Sequence, residues 1–257
     1  RHIVYNALVN KDGYYEMNFE QLEMQAKDPK TKLILVCSPQ NPSGRLWTKE
    51  ELTRMGNICI DNGVKVVVDE IHSDLILTDR EFVSFATISD KFAQNSIICT
   101  SPSKSFNVAG LLVSDIIIPN DEMRAAFQEK MQPYYLWPGA FGAVAQIAAY
   151  NESEEWLEEL KEYLRGNAQF IADFIQKRMP KVKYRIPDLG WLDFRAYGMT
   201  DQELWDFMCH KAKVATDDGP KFGPNGEAGG FQRINFSCPR AQLEEALNRI
   251  AEALDAL

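Results

Sequence analysis

Short apolar runs alternate with helix-like patterns along the first two thirds of the chain. "HIVYNALV", "KLILVCS", "KVVVDE", "SIICTS" and "LVSDIII" are rich in β-branched residues and bounded by turn residues, so each predicts a strand. Their near-continuous hydrophobicity is what a parallel sheet covered on both faces requires. Between two of them, "TKEELTRMGNICIDNG" places Thr48 three residues before Glu51, a capping-box start. Leu52, Met55 and Cys59 then line one helical face, and Gly63 stops the helix. Strand, helix and strand at this spacing make a crossover unit, and the predicted class is α/β with a mostly parallel sheet.

After Pro138 the pattern changes. A helix is predicted from about Ala140 to Tyr150, and a long amphipathic one from Ser153, with Trp156, Leu160, Tyr163, Leu164, Phe170, Ile171 and Phe174 on its apolar stripe. "GWLDFR" and "RINFS" read as strands, "TDQELWDFMCHKA" between them as a second capping-box helix, and "RAQLEEALNRIAEALDAL" as a terminal amphipathic helix. The expected division is a large domain over residues 1–152 and, over 153–257, the long helix with a small α+β domain.

Composition narrows the function classes. Of 257 residues, 45% are hydrophobic and 25% charged, an ordinary soluble balance, and the net charge of -9 without any basic cluster offers nothing to nucleic acid or an anionic membrane. No apolar run approaches a membrane span, and "RHIVYNALVN" lacks the plan of a signal peptide. Cys37, Cys59, Cys99, Cys209 and Cys238 form no CxxC pair, which points to reduced thiols in a cytoplasmic protein, and with only His2, His72 and His210 no metal site is expected.

In an open parallel sheet, ligands bind beyond the carboxyl ends of the strands. Three polar clusters fall there: "SPQNPSG" after "LILVC", "DEIHSD" after "KVVV" and "TSPSKS" after "SIIC". Lys104, taken alone, is a solvated turn lysine; as a carbonyl-binding nucleophile it would need a partly desolvated amine. Asp69, alone, is a turn cap at a strand end; with an amine opposite, it becomes a charge partner for a protonated ring nitrogen. Asn41, alone, is a turn residue in "QNPSG". Arg233, alone, is a strand arginine paired with an acidic neighbour. The aromatic residues Tyr134, Tyr135 and Trp137 carry no assignment, since such clusters are mostly packing.

"SPQNPSG", "DEIHSDL" and "TSPSKSFNVAG", in that order and followed by "FGPNGEAGGFQRINFSCPR", resemble the signature of fold-type I pyridoxal-phosphate enzymes. The likeness is strongest to the aminotransferase class I/II branch that holds the bacterial cystathionine β-lyase-type C–S lyases, and it runs over essentially the whole chain. It implies pyridoxal 5'-phosphate as cofactor. Lys104 matches the lysine that binds the cofactor and moves protons at the substrate α- and β-carbons, Asp69 the partner of the ring nitrogen, and Asn41 the donor to the ring hydroxyl oxygen. Ser101 and Ser103 match hydroxyls near the phosphate, Arg233 the arginine that grips the substrate α-carboxylate, and His72 a cofactor-binding position where many aminotransferases carry tyrosine and the C–S lyase-like branch commonly carries histidine. The substrate implied is a small cysteine-derived amino acid, and the full-length protein is expected to be a homodimer.

Two departures from the family pattern accompany the likeness. The family carries a further segment ahead of the point matching Arg1, with a Gly-rich phosphate loop and a ring-stacking aromatic. Residues 1–257 by themselves are therefore expected to expose apolar sheet, bind cofactor weakly and not turn over. "RIPDLGWLDFR" is also shorter than the family's counterpart between the proline and the tryptophan. The function expected is C–S β-lysis; an aminotransferase shares every step through the α-carbanion and stays open, as does a non-catalytic module that retains the fold.

Overall fold

The computed structural model describes residues 2–186, 189–223 and 225–257. The shortened "RIPDLGW" stretch includes Pro187 and Asp188, which lie outside the described residues.

The first apolar run is the one the sequence misread. No strand runs alongside residues 2–8 among the described residues, and Ile3 is 71% exposed. Hydrophobicity makes a strand only where a neighbouring backbone accepts its hydrogen bonds. Here side chains anchor the segment instead: Asn6 Nδ2 donates to the Asn18 carbonyl at 3.1 Å, and Gln25 Nε2 donates to the Tyr5 carbonyl at 2.9 Å. The only strand residue of the run is Val9, which opens β1 (Val9–Lys11), a hairpin partner of β2 (Tyr14–Glu16).

Helix α1 (Phe19–Lys27), capped by Asn18, leads to β3 (Leu33–Cys37). Helix α2 (Lys49–Asp61) starts on the expected capping box, with Thr48 Oγ1 accepting from the Glu51 amide at 3.2 Å and Glu51 Oε2 from the Thr48 amide at 2.8 Å. Leu52, Met55 and Cys59 are buried, and Gly63, at a φ of 67°, takes the left-handed turn that ends the helix. There follow β4 (Lys65–Asp69), the short α3 (Asp90–Ala93), β5 (Ser96–Thr100), the single turn α4 (Pro102–Ser105) and β6 (Asp115–Ile117). The sheet order is β3-β4-β5-β6, with β3, β4 and β5 parallel and β6 antiparallel. One face, carrying Val66, Val68 and Ile98, is buried; on the other, Leu33 and Leu35 are exposed. The described residues thus cover one face of this sheet, where the composition of its strands predicted cover on both. Just before α2, Trp47 is buried and its indole N–H donates to the Cys37 carbonyl at 2.9 Å.

Helices α5 (Asp121–Met131) and α6 (Ala140–Glu152) precede the long α7 (Glu154–Arg178). Of the predicted α7 stripe, Leu164 and Ile171 are buried whereas Trp156 and Tyr163 are exposed. Asn167 is buried mid-helix, and it is satisfied: Nδ2 donates to the Phe236 and Cys238 carbonyls at 2.8 and 3.0 Å, and Oδ1 accepts from Arg240 Nε at 2.6 Å.

The remaining elements are β7 (Lys183–Tyr184), β8 (Gly190–Asp193), α8 (Asp201–Asp206), β9 (Asp217–Asp218), β10 (Phe231–Ile234) and α9 (Arg240–Asp255). They form an antiparallel sheet of order β7-β8-β10-β9. The second capping box, Thr200 with Glu203, starts α8 as expected, but the helix continues past Asp206 as a π-helical turn, Phe207–Ala212, along which Phe207, Met208 and Ala212 are buried.

The chain divides into two compact units. The first takes residues up to Asn6, Met17–Gln40 and Leu46–Glu159; the second takes Ala7–Glu16, Asn41–Arg45 and Leu160–Leu257.

Candidate active site

Asp69, His72, Ser101, Ser103 and Lys104 all belong to the first unit. The parallel register there sets Asp69 between Cys37 on β3 and Cys99 on β5, so the three carboxyl-terminal strand ends adjoin as the sequence implied. The Ser38 amide donates to the Asp69 carbonyl at 2.9 Å, and the Glu70 amide to the Cys99 carbonyl at 2.8 Å. Asp69 is half-buried, and its Oδ1 accepts from the Ile71 amide at 3.2 Å, so the turn-capping role is present. His72 sits half-buried in the turn that follows, its carbonyl accepting from the Leu75 amide at 3.0 Å.

Lys104 stands on α4, directly after β5. The sequence reading asked for a partly desolvated amine; the structure leaves Lys104 exposed, because α4 turns Ser101 and Ser105 inward and Lys104 outward. Ser101 Oγ caps the turn by accepting from the Ser103 amide at 3.1 Å, and it lies 2.7 Å from both the Val113 carbonyl oxygen and Ser103 Oγ. A hydroxyl has one proton. Ser101 gives its own to the carbonyl and receives that of Ser103, so a phosphate would gain a donor here by rotation of Ser103.

Asn41 and Arg233 belong to the second unit. Arg233 lies on β10 with Trp191 opposite on β8 and Asp217 opposite on β9. Its Nε donates to Asp217 Oδ2 at 3.1 Å, its Nη2 bonds the same oxygen, and its Nη1 donates to Asn41 Oδ1 at 2.7 Å. The Phe222 ring lies 4.9 Å beneath the guanidinium carbon. The acidic neighbour expected of an ordinary strand arginine is therefore Asp217. Arg233 also holds Asn41, a contact that the sequence did not announce although each residue separately matches the family's pattern.

Three residues escaped the sequence reading. Ser105 is fully buried and its Oγ donates to Asp74 Oδ2 at 2.7 Å, fastening the lysine-bearing turn to the turn after Asp69. Asp74 lies within "DEIHSD" and Ser105 within "TSPSKS", but nothing in their spacing announces the contact. Glu70 is buried, and its Oε1 accepts from the Phe85 amide at 2.9 Å.

Burial pushes the Glu70 carboxyl above its ordinary range, the Phe85 amide and Ser84 hydroxyl partly restore it, and the Asp69 charge raises it further. A native carboxyl that keeps its proton more readily than the unfolded one makes folding take up a proton. Its contribution to stability is then present below the unfolded value and lost as pH rises through the raised native one. Glu70→Gln keeps the acceptor for Phe85, and it should flatten the decline of stability from weakly acid toward neutral pH. Urea midpoints measured across that window for both proteins read the difference, and identical slopes would remove Glu70 as its source.

The described residues contain no group of metal-ligating side chains, and none of the five cysteines is in a disulfide. A model of the family described as aminotransferase class I and II matches residues 3–250. The chain is 46% identical to cystathionine beta-lyase PatB of Bacillus subtilis (strain 168), over 99% of this chain and 66% of that protein. A PLP-bound protein of Clostridium difficile 630 that carries an aminotransferase name superposes with a TM-score of 0.95 at 40% identity, over 99% of this chain and 66% of its own. Cystalysin of Treponema denticola, which contains pyridoxal 5'-phosphate, superposes with a TM-score of 0.95 at 36% identity, over 100% of this chain and 66% of its own. The chain spans about two thirds of the length of these relatives.

Proposed function

The chain belongs to the aminotransferase class I and II family, and from that membership we propose that the full-length protein is a pyridoxal-phosphate-dependent C–S β-lyase. With the uptake of one water, it would convert a cysteine-derived amino acid such as cystathionine into a thiol, pyruvate and ammonia. The observation that carries the choice is the near-half identity to cystathionine beta-lyase PatB along almost the entire chain.

The donor set suits the cofactor. A primary amine, a carboxylate and hydroxyls stand at adjoining strand ends of the parallel sheet, matching a carbonyl, a ring nitrogen and a phosphate in turn. When bound, pyridoxal phosphate supplies an electron sink for negative charge at the substrate α-carbon. Lys104 would hold the cofactor carbonyl and take the proton from the substrate α-carbon. Asp69 keeps a proton on the ring nitrogen. Asn41 would donate to the ring hydroxyl oxygen, His72 would line the cofactor, and Ser103, with Ser101 behind it, would turn a proton to the phosphate. Arg233 binds the α-carboxylate, its planar fork held in orientation by Asp217 and Asn41.

Arg233→Lys should raise KM for the amino acid by about tenfold or more, the scale of roughly 1.4 kcal/mol, because lysine keeps the charge but loses the fork. Cofactor affinity should stay nearly unchanged. Steady-state kinetics beside a cofactor titration checks this, and parallel losses in both would move Arg233 away from the substrate.

The aminotransferase reading is favoured by the name of the Clostridium difficile protein. Incubation of the full-length protein with cystathionine separates the two. Pyruvate formed without any added keto acid supports the lyase, and no product until a keto acid is supplied supports the transferase.

The same reading includes a homodimer, supported by the exposed apolar side chains of Tyr135, Trp137 and Phe141, and residues 1–152 as the cofactor-binding domain with 153–257 as the connecting long helix and a small carboxyl-terminal domain. A cytoplasmic setting is supported by five cysteines that form no disulfide, and no described helix is long and apolar enough to cross a membrane.

A further inference from the structure

Lys104 is exposed and mobile by chemistry, a flexible four-carbon stem with few constraints of its own, yet the backbone that carries it is pinned on both sides. On the amino side, Ser101 is buried and its hydroxyl caps the turn while bonding the Val113 carbonyl. On the carboxyl side, the residue next to Lys104 is Ser105, which has no exposure and directs its only side-chain proton at Asp74 Oδ2, 2.7 Å away. A hydroxyl-to-carboxylate bond of that length is charge-assisted, roughly twice the strength of a neutral one.

Asp74 is itself fixed relative to Asp69. Asp69 Oδ1 accepts from the Ile71 amide at 3.2 Å, the Ser73 amide donates to the Glu70 carbonyl at 2.9 Å, and the Leu75 amide donates to the His72 carbonyl at 3.0 Å, so the segment from Asp69 to Asp74 is one hydrogen-bonded turn. The negative charge of Asp74 is also felt by Tyr150, whose hydroxyl is pushed up to about 12 by burial first and then by Asp74 and Asp115. A buried serine and a half-buried aspartate thus join the two motif segments that hold the amine and the carboxylate, by a side-chain contact independent of the β4–β5 ladder.

We propose that Asp74 and Ser105 are positioning residues for Lys104, setting where its amine stands relative to Asp69. The inference rests on the reading of Lys104 as the cofactor-binding lysine and extends it to residues that touch neither cofactor nor substrate. Loosening the Asp74–Ser105 contact lets the α4 turn drift, and misplacement by an ångström lowers the rate of proton transfer by up to ~100-fold while substrate binding is spared.

The test uses the full-length protein with pyridoxal 5'-phosphate. The cofactor carbonyl condenses with the lysine amine with loss of water, hydride from borohydride reduces the resulting C=N bond, and peptide mass mapping identifies the labelled lysine and its trapping rate. Ser105→Ala removes the donor; Asp74→Asn keeps an acceptor but removes the charge. The expected result is wild-type labelling at Lys104, trapping slowed by about tenfold or more in Ser105→Ala and by less in Asp74→Asn, and kcat falling by similar factors with KM changed by no more than about twofold. Should Ser105→Ala not fold, Asp74→Asn decides alone. Wild-type labelling at Lys104 with both variants trapped at the wild-type rate overturns the positioning role and leaves the proposed function standing, as do kcat and KM that shift together. Labelling of another lysine in the wild type overturns the proposed function and this inference with it.

Discussion

Lys104→Ala in the full-length protein should abolish β-elimination, with turnover lower by about four to six orders of magnitude, the scale on which removal of a covalent catalytic group falls. The flanking serines cannot substitute. Ser103 and Ser105, on either side, offer hydroxyls that are engaged with Ser101 and Asp74. The fold should survive, because Lys104 is exposed and its removal opens no cavity; surface substitutions of this kind stay within about 0.5 kcal/mol. The informative pairing is turnover beside the urea unfolding midpoint. Retained turnover, or a loss of activity matched by a loss of fold, would take the nucleophile's role from Lys104.

Asp69→Ala should lower turnover by about a thousandfold, equivalent to ~4 kcal/mol of transition-state stabilisation, by removing the charge that keeps the ring nitrogen protonated. It also removes the cap on the Ile71 amide, at a cost of about 1 kcal/mol of stability. Asp69→Asn separates the two effects. Asparagine retains an oxygen for the Ile71 amide, so stability should be near that of the wild type, while the charge is gone and turnover should fall almost as far as in Asp69→Ala. Near-normal turnover in Asp69→Asn would reduce Asp69 to a turn cap.

What was legible in the sequence was legible because it is local. Both capping boxes, at Thr48 and Thr200, are written within four residues, and both are formed. The β-branched runs of β3, β4 and β5 announced adjoining strands whose ends bear polar turns. "HIVYNALV" is likewise rich in apolar residues, yet only its Val9 lies in a strand, since pairing depends on a neighbour that composition does not specify. The π-helical turn after Asp206 is invisible to a reading that assumes 3.6 residues per turn. Contacts between distant side chains were the hardest. Arg233 with Asn41 was reached only as two separate matches to one family's pattern, and Ser105 with Asp74 was not reached at all, because a serine and an aspartate 31 positions apart carry no periodic signal.

The two buried tryptophans have a spectroscopic consequence. Trp47 is 1% exposed in the first unit and Trp191 8% exposed in the second, whereas Trp137, Trp156 and Trp205 are all more than 40% exposed. Ultraviolet excitation of the native chain therefore yields two emission populations, a blue-shifted one that resists collisional quenchers and a red-shifted one open to them. Each unit owns one member of the protected population. Trp47 donates to the Cys37 carbonyl and Trp191 to the Tyr15 hydroxyl at 2.9 Å apiece, so neither indole reaches the red limit until its own surroundings open. With the three exposed tryptophans changed to phenylalanine, and one buried tryptophan kept at a time, the light itself would report which half of the molecule melts first.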